Sequence, residues 1–460
     1  MTTRFDLVIL GGGPGGYAAA LYGAAAGLSV ALVEEQRVGG TCLHRGCIPA
    51  KELLQTAEVL RTIKGAKAFG VGVDTPTLDL KVSIERQQKI VDRLTKGLET
   101  LLSGRSVSVY SGRGEVIDAG AHTVRVNDTM LEGRSLIIAT GSSPREFPGL
   151  PFDGVRVLSS DHVLALTSVP VRTVIIGGGA IGCEFASYLS DVGSAVTVLE
   201  SMPSILPGVD TEVAEIVGRM FKRRRITVRS GVTVEGIDVG NDSVTVRLTQ
   251  DGLSTVVADA VVVTIGRTPN SAGCGLENSG IQIDPKGYIE VDGSMQTAVA
   301  GVYAVGDVVS TPQLAHVAFA EAIVAIKSIL GESPRPIDYS RVPWGIYCHP
   351  EVAFCGPTEE AARAAGQDVV VSVHRFAGNA RAQIMDQADG LVKVIANRTG
   401  VILGVHIVGP MATELLGAGY LAVNWEATVD DLSILIQPHP TLGELFGESV
   451  LALTGRSLHA

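Results

Sequence analysis

Residues Asp6–Gly16 read DLVILGGGPGG, and Thr173–Gly182 read TVIIGGGAIG. In each stretch a short apolar run meets three glycines in G-x-G-x-x-G register: Gly11, Gly13 and Gly16, then Gly177, Gly179 and Gly182. One such motif in a glycine-rich chain is weak. Here each is followed by a small-residue helix, a second strand (Val30–Val33 and Ala195–Leu199) and an acid, Glu34 or Glu200, 23 residues after the first glycine. That repetition is strong. The glycines permit a tight turn, let backbone reach a pyrophosphate and allow close helix–strand packing, and the helix N-terminus holds the phosphates. The two carboxylates are placed to accept from a ribose diol. At Glu200 the same charge disfavours a 2′-phosphate, and Ser201, Met202 and Pro203 supply no arginine to welcome one. NAD is favoured over NADP.

Each repeat is completed by a strand ending in glycine: Leu136–Ala139 before Thr140 and Gly141, and Ala260–Thr264 before Ile265, Gly266 and Arg267. A third strand-like segment, GVYAVGDV (Gly301–Val308), puts Asp307 after a glycine turn, with a helix from about Gln313 to Leu330. The expected fold class is α/β: two Rossmann-like dinucleotide-binding domains plus a C-terminal α+β domain. The first would be discontinuous, over residues 1–143 and 269–340, with the second, 144–268, inserted. Past Pro334 and Pro336 the pattern changes. Antiparallel strands at Val369–Val373 and Leu391–Ala396 and a helix at Thr413–Asn424 define a third domain over 341–460.

The stretch GGTCLHRGCIPAK, Gly39–Lys51, carries the chemistry. Cys42 and Cys47 are separated by four residues, and intracellular cysteine pairs bind metal or do redox work. Zinc commonly takes two close pairs, and no second close pair follows. A redox-active disulfide is the favoured reading, with a metal pair or inert buried thiols as its alternatives. In a regular helix, residues five apart have Cα atoms about 8–9 Å from each other, whereas a disulfide tolerates no more than about 7 Å. A bridge therefore requires a distorted helical turn, which Gly46 and Pro49 suit.

With 460 residues, two to four domains can bury full cores. Forty-eight acids against 37 Lys and Arg give a net charge of −11, so no basic footprint for nucleic acid or anionic lipid stands out. The run Lys222–Arg225 ends a helical pattern and reads as a solvated, dipole-favoured terminus. No apolar stretch is long enough to span a bilayer, and MTTRFDLVILGGG enters fold sequence at once, so a cytoplasmic protein is expected.

Five motifs in order, GGGPGG, GGTCLHRGCIPAK, GGGAIGCE, AVGDV and HPTLGE, make the chain resemble the flavin-dependent pyridine nucleotide–disulfide oxidoreductases along its whole length. Within that family it is most similar to members that oxidise protein-bound dihydrolipoyl groups and reduce NAD. The resemblance implies FAD in the first domain and NAD in the second. Cys42 would exchange with substrate, and Cys47 would face the flavin. Lys51 and Glu184 match a pair near the flavin; Asp307 matches the carboxylate at its ribityl or phosphate region. Gly11, Gly13, Gly16, Glu34, Gly40, Thr41, Gly114, Thr140, Gly141 and Ala315 complete the expected FAD contacts. Gly177, Gly179, Gly182, Glu200, Gly266 and Arg267 would hold NAD, and no metal is expected. His439 matches an acid–base histidine oriented by Glu444; in the family it serves the disulfide of the other subunit, implying a homodimer. His349 is the rival histidine and reads as structural. The implied partners are lipoyl domains and the acyltransferase core of a 2-oxoacid dehydrogenase complex. Departures are His44 and Arg45 for an Asn and an apolar residue, Gln437 for a His and Gly443 for a Ser. Alternatives are a reductase of low-molecular-weight disulfides using NAD(P)H and mercuric reductase, whose cysteine pair the tail after Glu444 lacks. A non-enzymatic subunit of a larger complex is a further alternative.

Overall fold

A computed structural model describes residues 2–249, 253–277 and 279–459. The chain groups into two compact units. Unit 1 comprises Met1–Leu53, Asp79–Arg145 and Gly266–Tyr339; unit 2 comprises Leu54–Leu78, Glu146–Ile265 and Ser340–Ala460. Residues 54–78, expected with the first domain, thus cluster in unit 2.

The chain begins with β1 (Thr2–Leu10), α1 (Pro14–Ala25) and β2 (Val30–Glu34), a β–α–β crossover. Next come α2 (Gly40–Arg45), α3 (Cys47–Gly65) and α4 (Leu80–Gly104). Strands β3 (Ser108–Ser111), β4 (Gly114–Asp118), β5 (Thr123–Val126) and β6 (Thr129–Ile138) follow, with the short β7 (Ser142–Pro144) last. Strands β3, β2, β1 and β6 lie side by side and parallel, extended by β5 and β4 running antiparallel. Leu7, Val8 and Ile9 of β1 are fully buried, as are Leu136–Ile138 of β6. Burial on both faces is why these strands read as unbroken apolar runs.

The second repeat opens with β8 (Val157–Leu158), α5 (Ser160–Val163), β9 (Arg172–Ile176), α6 (Ala180–Asp191) and β10 (Ala195–Glu200). It continues through α7 (Thr211–Arg223) and β11 (Thr227–Ser230), an antiparallel meander of β12 (Thr233–Val239), β13 (Val244–Thr249) and β14 (Leu253–Ala258), and β15 (Ala260–Val263). The parallel order is β11-β10-β9-β15-β8. The chain returns to unit 1 through β16 (Arg267–Pro269), which pairs antiparallel with β7. Strand β17 (Val302–Ala304) joins the end of β6, Gly306–Val308 makes a 3₁₀ turn, and α8 (Ala315–Ile329) packs on α1. Gly15 of α1 leaves room for the end of β17, since a Cβ there would stand 2.9 Å from a Val305 methyl, and would meet Ala318 of α8 at an ordinary 3.6 Å.

The last segment holds β18 (Trp344–Ile346), β19 (Glu351–Cys355), α9 (Glu359–Ala364), β20 (Val369–Arg375), α10 (Ala380–Ile384), β21 (Leu391–Asn397) and β22 (Ile402–Gly409). The helices α11 (Ala412–Asn424), α12 (Val429–Ser433) and α13 (Glu444–Ala452) complete it. Its five strands form an antiparallel sheet ordered β18-β19-β22-β21-β20. No helix among the described residues is long and apolar enough to cross a membrane.

Candidate functional site

The two glycine loops have the same local geometry. A Cβ on Gly11 or Gly177 would lie 2.3 or 2.5 Å from the carbonyl oxygen of Ala139 or Thr264, and both glycines have φ above +100°. A Cβ on Gly16 or Gly182 would meet the oxygen of Gly11 or Gly177 within 2 Å. Only hydrogen fits. Gly13 and Gly179 are the extended N-caps of α1 and α6, with no side chain over the free N–H groups. Glu34 accepts from Gly12 N–H (2.7 Å) and Gln36 N–H (2.8 Å); Glu200 accepts from Gly178 N–H (2.6 Å) and Met202 N–H (2.8 Å). Each carboxylate is thereby fixed at the end of its second strand.

The redox segment is bound to the first loop through glycines. Gly39 N–H donates to Gly12 O at 2.7 Å, and a Cβ on Gly40 would lie 2.6 Å from Gly13 Cα. Thr41 follows in the first turn of α2, which carries Cys42; α3 starts at Cys47, and Gly46 between them breaks the helix at φ −146°, ψ −114°. The expected distortion is therefore a clean break. A Cβ at Gly46 would stand 3.0 Å from Thr41 O and 3.3 Å from Cys42 Cα. The two half-buried thiols share a hydrogen bond, which with burial pushes the Cys42 thiol up, opposed by the Lys51 charge. Lys51 lies one turn along α3 from Cys47, and the N-terminus of this helix favours negative charge on that sulfur. Tyr17 of α1 also faces the pair: burial, then the two sulfurs' charge, pushes its hydroxyl up to about 12. Its ring packs on Phe319 of α8 at 5.7 Å. Sequence reading missed Tyr17, because one tyrosine in a small-residue helix makes no pattern.

Around the end of β6, Ser142 Oγ donates to Asp307 Oδ2 at 2.6 Å. Arg267, expected with NAD, turns its side chain to this pair: Nε donates to Ser142 Oγ and Nη2 to Ser142 O, both at 2.6 Å. Gly141 O accepts from Asn270 N–H at 2.9 Å, and Gly266 O from Arg145 N–H at 3.1 Å. Gly114 is buried at the start of β4, where a Cβ would stand 2.3 Å from a Leu10 methyl. Ala315 opens α8. Thr140 Oγ1 and Gln313 Nε2 are buried without a hydrogen-bond partner among the described residues. Two such atoms in unit 1, Thr140 next to the Gly11 turn, fit a polar cofactor, since buried polar groups are otherwise satisfied. The residues fit FAD in unit 1.

In unit 2, His439 Nδ1 is 2.8 Å from Glu444 Oε1, while Glu444 Oε2 accepts from Thr441 N–H at 2.7 Å. Burial would raise the Glu444 carboxyl, but these two bonds outweigh it and hold it below the usual range. The histidine side chain is 71% exposed, so Nε2 is open to a reacting group. Glu184 accepts from Tyr347 N–H at 2.9 Å. His349 is bound through its backbone to Ser187 Oγ and to Arg224. Arg224 corrects one expectation: it is turned inward, pairing with Asp191 at 2.7 Å with its side chain only 14% exposed. The buried Asp191 at the end of α6, joined also by Arg61, outcompetes solvent for it.

Comparison with known proteins places this geometry. Residues 5–322 match the pyridine nucleotide-disulphide oxidoreductase family, and residues 342–450 match its dimerisation domain. The chain belongs to this family. It is 40% identical to dihydrolipoyl dehydrogenase of Bacillus subtilis, covering 100% of both chains. It is also 40% identical to that of Thermus scotoductus, covering 99% of this chain and 98% of the relative. The structure of LpdA from Mycobacterium tuberculosis superposes with a TM-score of 0.91 at 29% identity, covering 98% and 99% of the two chains. The HOCl-induced flavoprotein disulfide reductase RclA of Escherichia coli gives 0.86 at 28% identity, covering 97% and 99%. The chain is thus an α/β oxidoreductase of a family that uses FAD and NAD, with a C-terminal dimerisation domain.

Proposed function

We propose that this protein is an NAD-dependent dihydrolipoyl dehydrogenase. The observation that carries the reading is the dithiol at the Gly46 break, bound through Gly39 and Gly40 to a dinucleotide loop. The full-length likeness to dihydrolipoyl dehydrogenases supports it. Residues 1–143 and 269–340 form the FAD domain, 144–268 the NAD domain and 341–460 the interface domain. In a homodimer, His439 Nε2 takes the proton of a substrate thiol, while Glu444 holds Nδ1–H and stabilises the imidazolium. The substrate thiolate attacks Cys42 of the oxidised pair and releases the Cys47 thiolate, because thiolate is the reactive species in exchange. The second substrate thiol attacks the mixed disulfide, expelling Cys42 and forming the oxidised lipoyl ring. FAD and NAD, when bound, would supply the two-electron chemistry that reoxidises the dithiol. Gly11, Gly13, Gly16, Glu34, Thr140, Gly141 and Asp307 hold the flavin nucleotide, and Gly177, Gly179, Gly182 and Glu200 hold NAD. Lys51, one turn along α3 from Cys47, serves the flavin side of the dithiol. The substrate is a lipoyl domain of a 2-oxoacid dehydrogenase complex in the cytoplasm, with the enzyme docked on the acyltransferase core.

Rapid mixing of the purified flavoprotein with dihydrolipoamide, followed by NAD, tests this. Reduction of the flavin–disulfide centre and then NADH formation is expected. Inertness to dihydrolipoamide, with NAD(P)H-driven reduction of a small disulfide instead, would replace it by the reductase reading.

A further inference from the structure

Strands β7 and β16 are where the chain leaves unit 1 and re-enters it, flanking the 120-residue stretch Glu146–Ile265. They form a two-stranded ribbon with Arg267 opposite Pro144. Two short strands alone are marginal in water, so what fastens this ribbon decides where Ser142 and Arg267 sit. Asn270 ties it to the end of β6, donating through Nδ2 to Thr140 O at 3.0 Å and accepting through Oδ1 from Ser143 Oγ at 2.8 Å. Arg267 makes a further link. Its Nε and Nη2 grip Ser142 Oγ and Ser142 O, and the Ser142 hydroxyl passes its own hydrogen to Asp307 Oδ2. The guanidinium lies 3.7 Å from that carboxylate, with Arg267 and Asp307 side chains 12% and 25% exposed and Ser142 buried. On the other side of the turn, the buried Glu321 accepts from Gly306 N–H at 2.6 Å and from Tyr339 O–H at 3.0 Å. The Asp307 turn is thus held at both its backbone and its side chain.

We propose that Arg267 is a positioning residue for the flavin, acting through Ser142 to fix and partly neutralise the Asp307 carboxylate. This rests on the reading that unit 1 binds FAD and Asp307 faces its ribityl or phosphate region. A carboxylate there would accept from cofactor hydroxyls or lie beside an anionic phosphate. It needs one fixed rotamer and a nearby positive charge, and Arg267 supplies both. The chain of donors runs one way, N–H to Oγ and O–H to carboxylate, so each bond polarises the next. The same grip fastens the ribbon, so flavin retention depends on a residue from the strand that re-enters the unit. Lysine would carry the charge but not the planar two-point grip on Ser142.

The test compares FAD affinity of Arg267→Met, Arg267→Lys and Ser142→Ala holoenzymes by flavin fluorescence on release, alongside the visible flavin spectrum and the KM for NAD. Met should raise the FAD Kd about tenfold or more, the loss expected for a hydrogen bond serving a charged group. Ser142→Ala should raise it by a similar factor, and Lys by less. The Met/Ala double variant should be little worse than Met alone, because both act along one path. Unchanged FAD affinity in Ser142→Ala and either arginine variant overturns the proposal; so does a raised NAD KM with unaltered flavin binding, which would return Arg267 to the nicotinamide site. Should Arg267→Met not fold, Ser142→Ala decides alone, since it removes only a hydroxyl. A wild-type protein that takes up no FAD sinks the functional reading as well, whereas a yellow wild type with indifferent variants sinks only this one.

Discussion

Cys42 and Cys47 occupy different environments, and the proposed mechanism gives them different duties. Cys42 lies in the last turn before the break, its thiol pushed up by the bond to Cys47 and by burial. Cys47 opens a 19-residue helix. Cys47→Ser should abolish dihydrolipoamide turnover and the long-wavelength absorbance of the two-electron-reduced enzyme. Cys42→Ser should also stop turnover yet leave the Cys47 sulfur able to colour the oxidised flavin. Interchangeable spectra of the two variants would refute the assignment. Away from this pair, burial and then the charges of Arg61 and Arg224 push His349 down to about 3 from an ordinary 6.5. The unfolded chain therefore takes up a proton that the folded chain refuses. Stability attributable to His349 is intact above pH 6.5 and falls as the pH drops toward 3. The slope is at most about 1.4 kcal/mol per pH unit. His349→Gln should flatten the acid limb of a urea-midpoint against pH plot; parallel curves for the two proteins would contradict the environment described. The cysteines were legible because their spacing is local. Tyr17, Ser142 and the inward turn of Arg224 were not, because each depends on what a distant segment brings to it.

Elements divide along the same line. The two glycine loops could be read from sequence because their register is local, as at Gly16 against Gly11, even though Gly11 and Gly177 also meet the distant carbonyls of Ala139 and Thr264. The β7–β16 ribbon and the β12–β14 meander gave no such signal, since short strands are defined by partners rather than by their own periodicity. A third case joins strand β21 to the start of α7. Lys393 is only 2% exposed and pairs with Asp210 (3.0 Å), Glu212 (3.0 Å) and Glu359 (2.8 Å). Asp210 also caps α7 by accepting from Glu212 N–H at 3.2 Å. In an alternating pattern a lysine flanked by Val392 and Val394 reads as the solvent face of a strand, and nothing local shows the carboxylates waiting for it. Lys393→Met keeps the length and removes the charge, leaving Asp210 buried beside two other acids. Loss of about 3–5 kcal/mol in unfolding free energy is expected, the range for breaking a buried ion pair. Equilibrium denaturation measures it, and a loss below about 1 kcal/mol, the ceiling for exposed pairs, would show the cluster to be solvated.

At the scale of the molecule, the acid–base pair and the dithiol belong to different units of the chain: His439 and Glu444 to unit 2, Cys42 and Cys47 to unit 1. Large apolar side chains stand open in the segment that carries the histidine. Trp425, Ile434 and Ile436 are 76%, 78% and 96% exposed, within the segment matching the dimerisation domain. Large side chains left that open are the mark of a surface that associates. If a second copy covers it, each active site draws its cysteines from one subunit and its histidine from the other. His439→Ala alone should slow reduction by dihydrolipoamide about 10²–10⁴-fold, the range for a positioned acid–base group. NADH-driven reduction of an artificial acceptor through the flavin should survive, because that route needs no proton from substrate. Mixing His439→Ala chains with Cys42→Ser chains then separates the two arrangements. Random reassortment makes about half the dimers hybrids, each with one site built from an intact dithiol and an intact histidine. Activity should recover to about a quarter of the wild-type level per chain. Recovery should require conditions that exchange subunits and should be absent when either variant is incubated alone. If exchange is verified by a tag carried on one variant and no activity returns, the histidine serves its own chain, and the apolar surface has another use.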